Sequence, residues 1–216
     1  MTICRFLIAE RSRKPIELKG SVALVGNSDA LLNLGHGVAI DNHDTVIRFN
    51  LCELSPKHKG DVGNKVDYCF FSLNVSTHKY PHSKTENLRF VQLCRKSKII
   101  CYPNNTKNVR KFNRKPYVLA IAFEQINQVY RNIIGPEAIQ FPKEHHPRNG
   151  IKLLASLINE GIRPTLYGFD IADRGDNKHY FDDEKQLEHV ETFGHRPSME
   201  YALLKQLSDL DLIEVV

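Results

Sequence analysis

Cysteine is scarce and unpatterned in this sequence: Cys4, Cys52, Cys69, Cys94 and Cys101 form an odd set with no Cys-x-x-Cys spacing. That argues against both a disulfide framework and a zinc site, and makes a reducing compartment the expectation. Long apolar runs are also missing. The run nearest the start, Phe6 to Ala9, is far too short to cross a bilayer and leads into Glu10, Arg11 and Arg13; neither a signal peptide nor a membrane anchor is expected. There is no internal repeat, low-complexity tract or linker rich in Gly, Ser or Pro, so one domain over residues 1–216 is expected. Charge of one sign is only in mild excess, with 30 Lys and Arg against 25 Asp and Glu. The basic residues are scattered apart from clusters at Arg11 to Lys14 and Lys107 to Lys115. This suits an anionic small substrate or a weakly anionic surface, and no nucleic-acid partner is expected.

What is present alternates between strand-like and helix-like segments. Ser21 to Val25, Thr45 to Phe49, Tyr68 to Ser72, Lys98 to Tyr102 and Thr165 to Tyr167 read as strands. Helices are expected from Asp29 to Leu34, around Leu119 to Arg131, from Gly150 to Asn159 and from Ser198 to Asp209. Such alternation predicts an α/β protein with a mostly parallel sheet. In these sheets ligands collect at the carboxyl ends of the strands, where the turns after Val25, Phe49 and Tyr167 would meet.

The turn Val25-Gly26-Asn27-Ser28 lets backbone approach a ligand closely, because Gly26 has no side chain and the helix after it offers free N–H groups. It lacks the spacing of a Walker A loop and of Gly-x-Gly-x-x-Gly, which removes most support for ATP, GTP or a dinucleotide. Taken alone it also fits an ordinary strand-to-helix turn with Ser28 or Asp29 as N-cap. Asp209-Leu210-Asp211 imitates an Asp-x-Asp metal site but falls at the end of the last helix, so no metal site is assigned to it.

The longer stretch Val22 to Asn50 resembles the large sialyl motif of glycosyltransferase family 29, the animal-type sialyltransferases. The matching residues are the Val-Gly-Asn-Ser turn, Leu31, Gly35 with Gly37, Ile40 to Asp44, and Val46 to Asn50. Three further segments follow in the family's order. Pro147-Arg148-Asn149-Gly150 through Tyr167-Gly168-Phe169 resembles the small motif, His179-Tyr180 the short His-Tyr motif, and His195 with Glu200 the His-x4-Glu motif. Arg148 and Asn149 depart from the pattern, replacing small hydroxyl residues that contact cytidine and ribose in the family.

The resemblance implies a single Rossmann-like α/β/α domain, GT-A-like, with a mostly parallel central sheet. It implies an inverting transfer of sialic acid from CMP-sialic acid to a hydroxyl of a glycan or glycolipid acceptor, with no metal ion and no cofactor beyond the donor substrate. His195 would be the general base and His179 would stabilise the departing phosphate, since histidine titrates near working pH. The donor would be held by Asn27, Ser28, Asn50, Asn149, Gly150, Phe169, Asp170 and Tyr180, with Glu200 in a supporting role. Family members of the secretory pathway join the large and small motifs by a disulfide whose positions fall here on Val22 and Gly161. The joint absence of both cysteines leads to the expectation of a short, bacterial-like cytoplasmic member, with the inner face of a membrane left open as its place of work. Two alternatives stand beside this reading: a CMP-Kdo-dependent transferase on the same scaffold, and a catalytically silent homologue that binds nucleotide or glycan.

Overall fold

The computed structural model describes residues 2–9, 15–71, 84–102, 109–110, 116–119, 123–143, 147–169, 180 and 197–216. Among these residues nine strands make one sheet: β1 Thr2–Ala9, β2 Pro15–Leu18, β3 Val22–Val25, β4 Thr45–Phe49, β5 Tyr68–Phe71, β6 Lys98–Cys101, β7 Tyr117–Leu119, β8 Thr165–Tyr167 and β9 Glu214–Val215. Their spatial order is β2-β1-β7-β6-β5-β4-β3-β8-β9. The seven strands from β7 to β9 in this order are mutually parallel, and β1 runs antiparallel to both β2 and β7. From β3 the chain steps outward through β4, β5, β6 and β7, then returns to lay β8 on the other side of β3. That reversal is the topological switch point, where open α/β sheets form their ligand crevice.

Among the described residues the α-helices are α1 Gly37–Asn42, α2 Lys59–Val62, α3 Lys84–Lys96, α4 Phe123–Ile134, α5 Asn149–Asn159 and α6 Pro197–Asp209. Alternation along the buried strands sends successive side chains to opposite faces. Leu24, Ile47, Phe49, Phe70, Ile100 and Leu166 pack with Ile126 and Tyr130 of α4, with Leu154 of α5 and with Leu203 and Leu207 of α6. Ala23, Val25 and Val46 point the other way, against Ile40 of α1 and Val62 of α2, while Cys69, Phe71, Ile99 and Cys101 meet Phe90, Leu93 and Cys94 of α3. The result is a three-layer α/β/α arrangement in which the central strands are apolar on both faces, as parallel strands require.

Two expectations change. Leu119 ends a strand, and the helix expected there begins at Phe123 instead; the β-type residues Tyr117, Val118 and Leu119 pair with β1 and β6, which fixes their extended form before the amphipathic run starts. The helix expected from Asp29 to Leu34 is a single 3-10 turn over Asp29–Leu31, capped by Ser28 Oγ, which accepts from the Ala30 N–H at 3.2 Å. Leu32 is extended and Asn33 adopts φ 65°, so the turn cannot propagate.

Much of the stretch that resembles the large motif holds the sheet's supports in place. Arg48 lies wholly buried on β4; its Nε donates to Lys65 O at 2.9 Å and its Nη2 to Val62 O at 2.5 Å, tying the loop after α2 to the sheet. The Asp41 carboxylate accepts the N–H groups of Asn64 and Lys65 in the same loop. Asp44 accepts from Ser21 N and Oγ, which locks the starts of β3 and β4 together.

His43 completes this set, its Nε2 3.1 Å from the Tyr167 hydroxyl and its ring edge-on to Tyr167. Burial, with Lys65 nearby, lowers its pKa against the opposing pull of Glu214 and Asp44. The folded state therefore binds this proton less readily than the unfolded chain does. The stabilisation is complete above the ordinary histidine value of ~6.5 and is lost as the pH falls below it. Urea unfolding at pH 7.5 and 5.5 is expected to show a smaller drop for His43→Gln than for the parent; equal drops would exclude His43 as a source of acid sensitivity. Asp44, also lowered through its Ser21 hydrogen bonds, acts only in the carboxylate range and leaves this window untouched.

Candidate donor site

The crevice starts where β3 and β8 end. Gly26 N–H donates to Tyr167 O at 2.7 Å, and a Cβ on Gly26 would come within 2.5 Å of Gly168 O. Only glycine allows the two turns to touch, which explains the residue at this position. Gly168 follows at φ 68°, its backbone pressed against Leu31.

Asn27 and Asn50 stand at the carboxyl ends of neighbouring strands β3 and β4. Asn27 Nδ2 donates to Phe49 O at 3.0 Å, whereas its Oδ1 is buried with no partner among the described residues. Asn50 takes the left-handed conformation, φ 52°, which asparagine tolerates better than most side chains. Its N–H reaches Phe70 O, and its carbonyl accepts from Cys69 Sγ at 3.2 Å. Ser28 is occupied as the cap of the 3-10 turn.

An aromatic girdle joins these strand ends to helix α5. Phe49 and Phe70 have ring centroids 6.2 Å apart, Phe70 and Tyr102 5.3 Å, and Phe49 and Phe169 6.0 Å. Phe169 also lies so close to Gly150 that a Cβ there would sit 2.4 Å from its ring. Tyr102 closes the circle by donating to Asn149 Oδ1 at 3.1 Å. The expected residues Asn27, Asn50, Asn149, Gly150 and Phe169 are thus linked by contacts around one crevice.

Tyr180 occupies a different place from one facing a ligand. It is 4% exposed, and its hydroxyl donates to Glu53 O at 2.8 Å and accepts from Glu53 N–H at 3.0 Å. Its own N–H donates to Asn27 O at 2.9 Å, so it buttresses the Asn27 turn from behind. Asp170, His179 and His195 lie outside the described residues.

Glu200 is 1% exposed and spends both carboxylate oxygens on one residue of the small-motif segment. Oε1 accepts from Arg148 N–H at 2.6 Å, and Oε2 pairs with Arg148 Nε. Burial disfavours the Arg148 charge, but the adjacent Glu200 carboxylate outweighs it and the net pKa shift is upward. The Arg148 guanidinium lies 5.9 Å from the Tyr201 ring centroid. Arg148 is therefore turned toward α6, and its N-cap position on α5 is kept through backbone. The pairing spans 52 residues of chain, a distance over which no local spacing can reveal it. Tyr102 was also missed as a site residue, although its place just past β6 put it at the carboxyl edge of the sheet.

The Asp-x-Asp imitation is accounted for by cations. Asp209 pairs with Lys205 Nζ at 2.9 Å, and Asp211 Oδ1 accepts from Arg163 Nη2 at 2.6 Å.

The fold is that of a doubly wound, Rossmann-like α/β protein with its switch point between β3 and β8, where such sheets take ligands. Two solved structures share this fold, a crystal structure of a mammalian sialyltransferase and one of a mammalian sialyltransferase in complex with Gal-beta-1-3GalNAc-ortho-nitrophenol. Each gives a TM-score of 0.60 at 19% identity over 91% of this chain, and 68% and 69% of their own lengths. Among curated proteins, the mouse and rat CMP-N-acetylneuraminate-beta-galactosamide-alpha-2,3-sialyltransferase 2 are each 24% identical over 204 residues, 89% of this chain. The chain spans 55% of the length of these relatives. Residues 12–212 match glycosyltransferase family 29 (sialyltransferase), and the chain belongs to that family.

The Arg148–Glu200 pair yields a stability test. Glu200→Gln removes a buried charge that is hydrogen-bonded twice, and is expected to cost about 1–3 kcal/mol, discounted for the partial exposure of Arg148. Arg148→Met leaves the carboxylate uncompensated and is expected to cost as much. In urea denaturation the double variant should lose at least about 1 kcal/mol less than the sum of the singles; strict additivity would show that the pair is not coupled.

Proposed function

We propose that this chain transfers sialic acid from CMP-sialic acid to a hydroxyl of a glycan or glycolipid, with inversion and without a metal ion. The observation that carries this reading is Asn27. Its amide nitrogen is committed to Phe49 O, while its buried Oδ1 has no partner among the described residues. A buried acceptor left open in a turn at the switch point calls for a ligand donor, and the hydroxyls of ribose or the amino group of cytosine are of that kind. The matched family and the named relatives supply the chemistry that such a nucleotide would serve.

Asn27, Asn50 and Asn149 with Gly150 bind and orient the CMP part, and Phe169 bounds it. The first turn of α5 offers unpaired N–H groups and a favourable dipole to negative charge. A nucleoside monophosphate leaves with less charge than a diphosphate, so hydrogen bonds and a protonated His179 suffice to stabilise it. His195 removes the acceptor's proton as the hydroxyl attacks the face opposite the departing CMP. Glu200 stands in the first turn of α6, five residues beyond His195, and through Arg148 ties the helix that follows the base to the helix that opens at the donor. The buried cysteines Cys52 and Cys69, in no disulfide, support work in a reducing compartment. No helix among the described residues is long and apolar enough to cross a membrane.

CMP-Kdo shares the CMP group and a carboxylated anomeric carbon, so the assay compares both donors. Release of CMP from each, with and without acceptor, is measured for the parent and for His195→Ala. The expected result is release from CMP-sialic acid, a fall in turnover of about 10²-fold or more in the variant, and CMP affinity within about twofold of the parent. Turnover unchanged by His195→Ala removes the base assignment, release from CMP-Kdo alone reassigns the donor, and CMP binding without turnover on either donor leaves a binding protein.

A further inference from the structure

Tyr102 belongs to none of the family-like segments, yet it is built into the crevice more firmly than several residues that do. Its ring packs against the core and meets Phe70 edge-on. Burial raises the pKa of its phenol, so the hydroxyl keeps its proton at any physiological pH and must place it on an acceptor. That acceptor is Asn149 Oδ1, at 3.1 Å. On the far side of the ring, Lys152 Nζ lies 5.5 Å from the centroid, one turn further along α5 from Arg148.

An asparagine amide has one accepting and one donating end, and left unconstrained it can present either to a ligand. Here the accepting end is taken. With Oδ1 held by Tyr102, Asn149 is left with the two N–H donors of Nδ2, beside the first turn of α5 and the ammonium of Lys152. This corner therefore offers chiefly donors and positive charge. It complements Asn27 at the end of β3, whose Oδ1 has no partner among the described residues.

We infer that Tyr102 is a positioning residue for donor binding: it locks the Asn149 amide so that its N–H groups face hydrogen-bond acceptors of the bound nucleotide. This rests on the CMP-dependent reading above. It also explains how asparagine replaces a small hydroxyl residue at position 149. A hydroxyl can rotate to donate, whereas an amide must be held in one of its two orientations.

The experiment is a calorimetric titration of CMP into the parent, Tyr102→Phe, Asn149→Ala, Asn149→Asp and the Tyr102→Phe/Asn149→Ala double variant, with thermal unfolding recorded for each. Tyr102→Phe keeps the ring and its packing, so it tests the hydroxyl alone. The expected result is CMP affinity weakened about fivefold in Tyr102→Phe and about five- to tenfold in Asn149→Ala, with the double variant no weaker than Asn149→Ala. Asn149→Asp still accepts from Tyr102 but no longer donates, and should bind CMP at least as weakly as Asn149→Ala. Full affinity in Tyr102→Phe, with or without a lower unfolding midpoint, reduces Tyr102 to a packing residue and overturns the inference while the donor reading stands. Parental affinity in Asn149→Asp overturns the assigned orientation. A parent that does not bind CMP at all overturns the donor reading and this inference with it.

Discussion

The contact between the ends of β3 and β8 is the constraint on which the rest of the molecule hangs. Strands β3 to β7 are laid down outward from one position, and the chain can close its sheet on the other side only by bringing β8 against β3. The backbone of Gly26 then has to pass the backbone of Tyr167 and Gly168 at hydrogen-bond distance, where a Cβ does not fit. At that approach the order of strands reverses, and open α/β sheets form their ligand crevice at such a point. The candidate site is thus a consequence of the order of strands, with Asn27 and Phe169 immediately past the contact.

Holding two turns at such proximity needs rigid supports on both sides of the sheet. On the α1–α2 side, Arg48 is buried near the end of β4 and binds the backbone carbonyls of Val62 and Lys65 instead of a carboxylate. Carbonyl partners satisfy part of its hydrogen-bonding capacity at no cost of a second buried charge. Asp41 and Asp44 do the converse, capping N–H groups of that loop and of the start of β3. Tyr180 presses on the same layer and holds the carbonyl of Asn27. On the α5–α6 side the corresponding support is Glu200, whose grip on Arg148 fixes the N-cap of α5 relative to the start of α6. Charged groups on both faces therefore serve the geometry of a neutral, asparagine-lined turn.

This division explains what could be seen in the sequence. The strands Thr45–Phe49 and Thr165–Tyr167 were legible to the residue, because a fully buried parallel strand is a short apolar run between polar turns. The α5 and α6 helices were legible within one residue at their starts, through apolar spacing at three and four. Strand β7 was not. Its three residues gain their extended form from pairing with β1 and β6, neither of which local pattern can supply. The same holds for the site: Asn27, Asn50, Asn149, Gly150 and Phe169 could be named because they sit in segments with a recognisable order, whereas Tyr102 and the Arg148–Glu200 pair arise from contacts across 47 and 52 residues of chain.

The departure at Arg148 and Asn149 looked in sequence like damage to a nucleotide site, and the geometry gives it another meaning. Arginine at 148 does not crowd the crevice, because its side chain is drawn to Glu200 and laid over Tyr201. At position 149 the amide oxygen accepts from the Tyr102 hydroxyl, which leaves its N–H groups to a ligand in the proposed reading. Each substitution therefore comes with a partner elsewhere in the chain. Were either partner absent, the argument for a silent, merely fold-retaining homologue would be stronger: without Glu200 the Arg148 guanidinium would lose its buried carboxylate, and an unlocked asparagine presents its oxygen as readily as its N–H groups. With both present, the proposed site would meet a nucleotide with an acceptor at Asn27 and donors at Asn149, beside the ring contacts of Phe49 with Phe70 and Phe169.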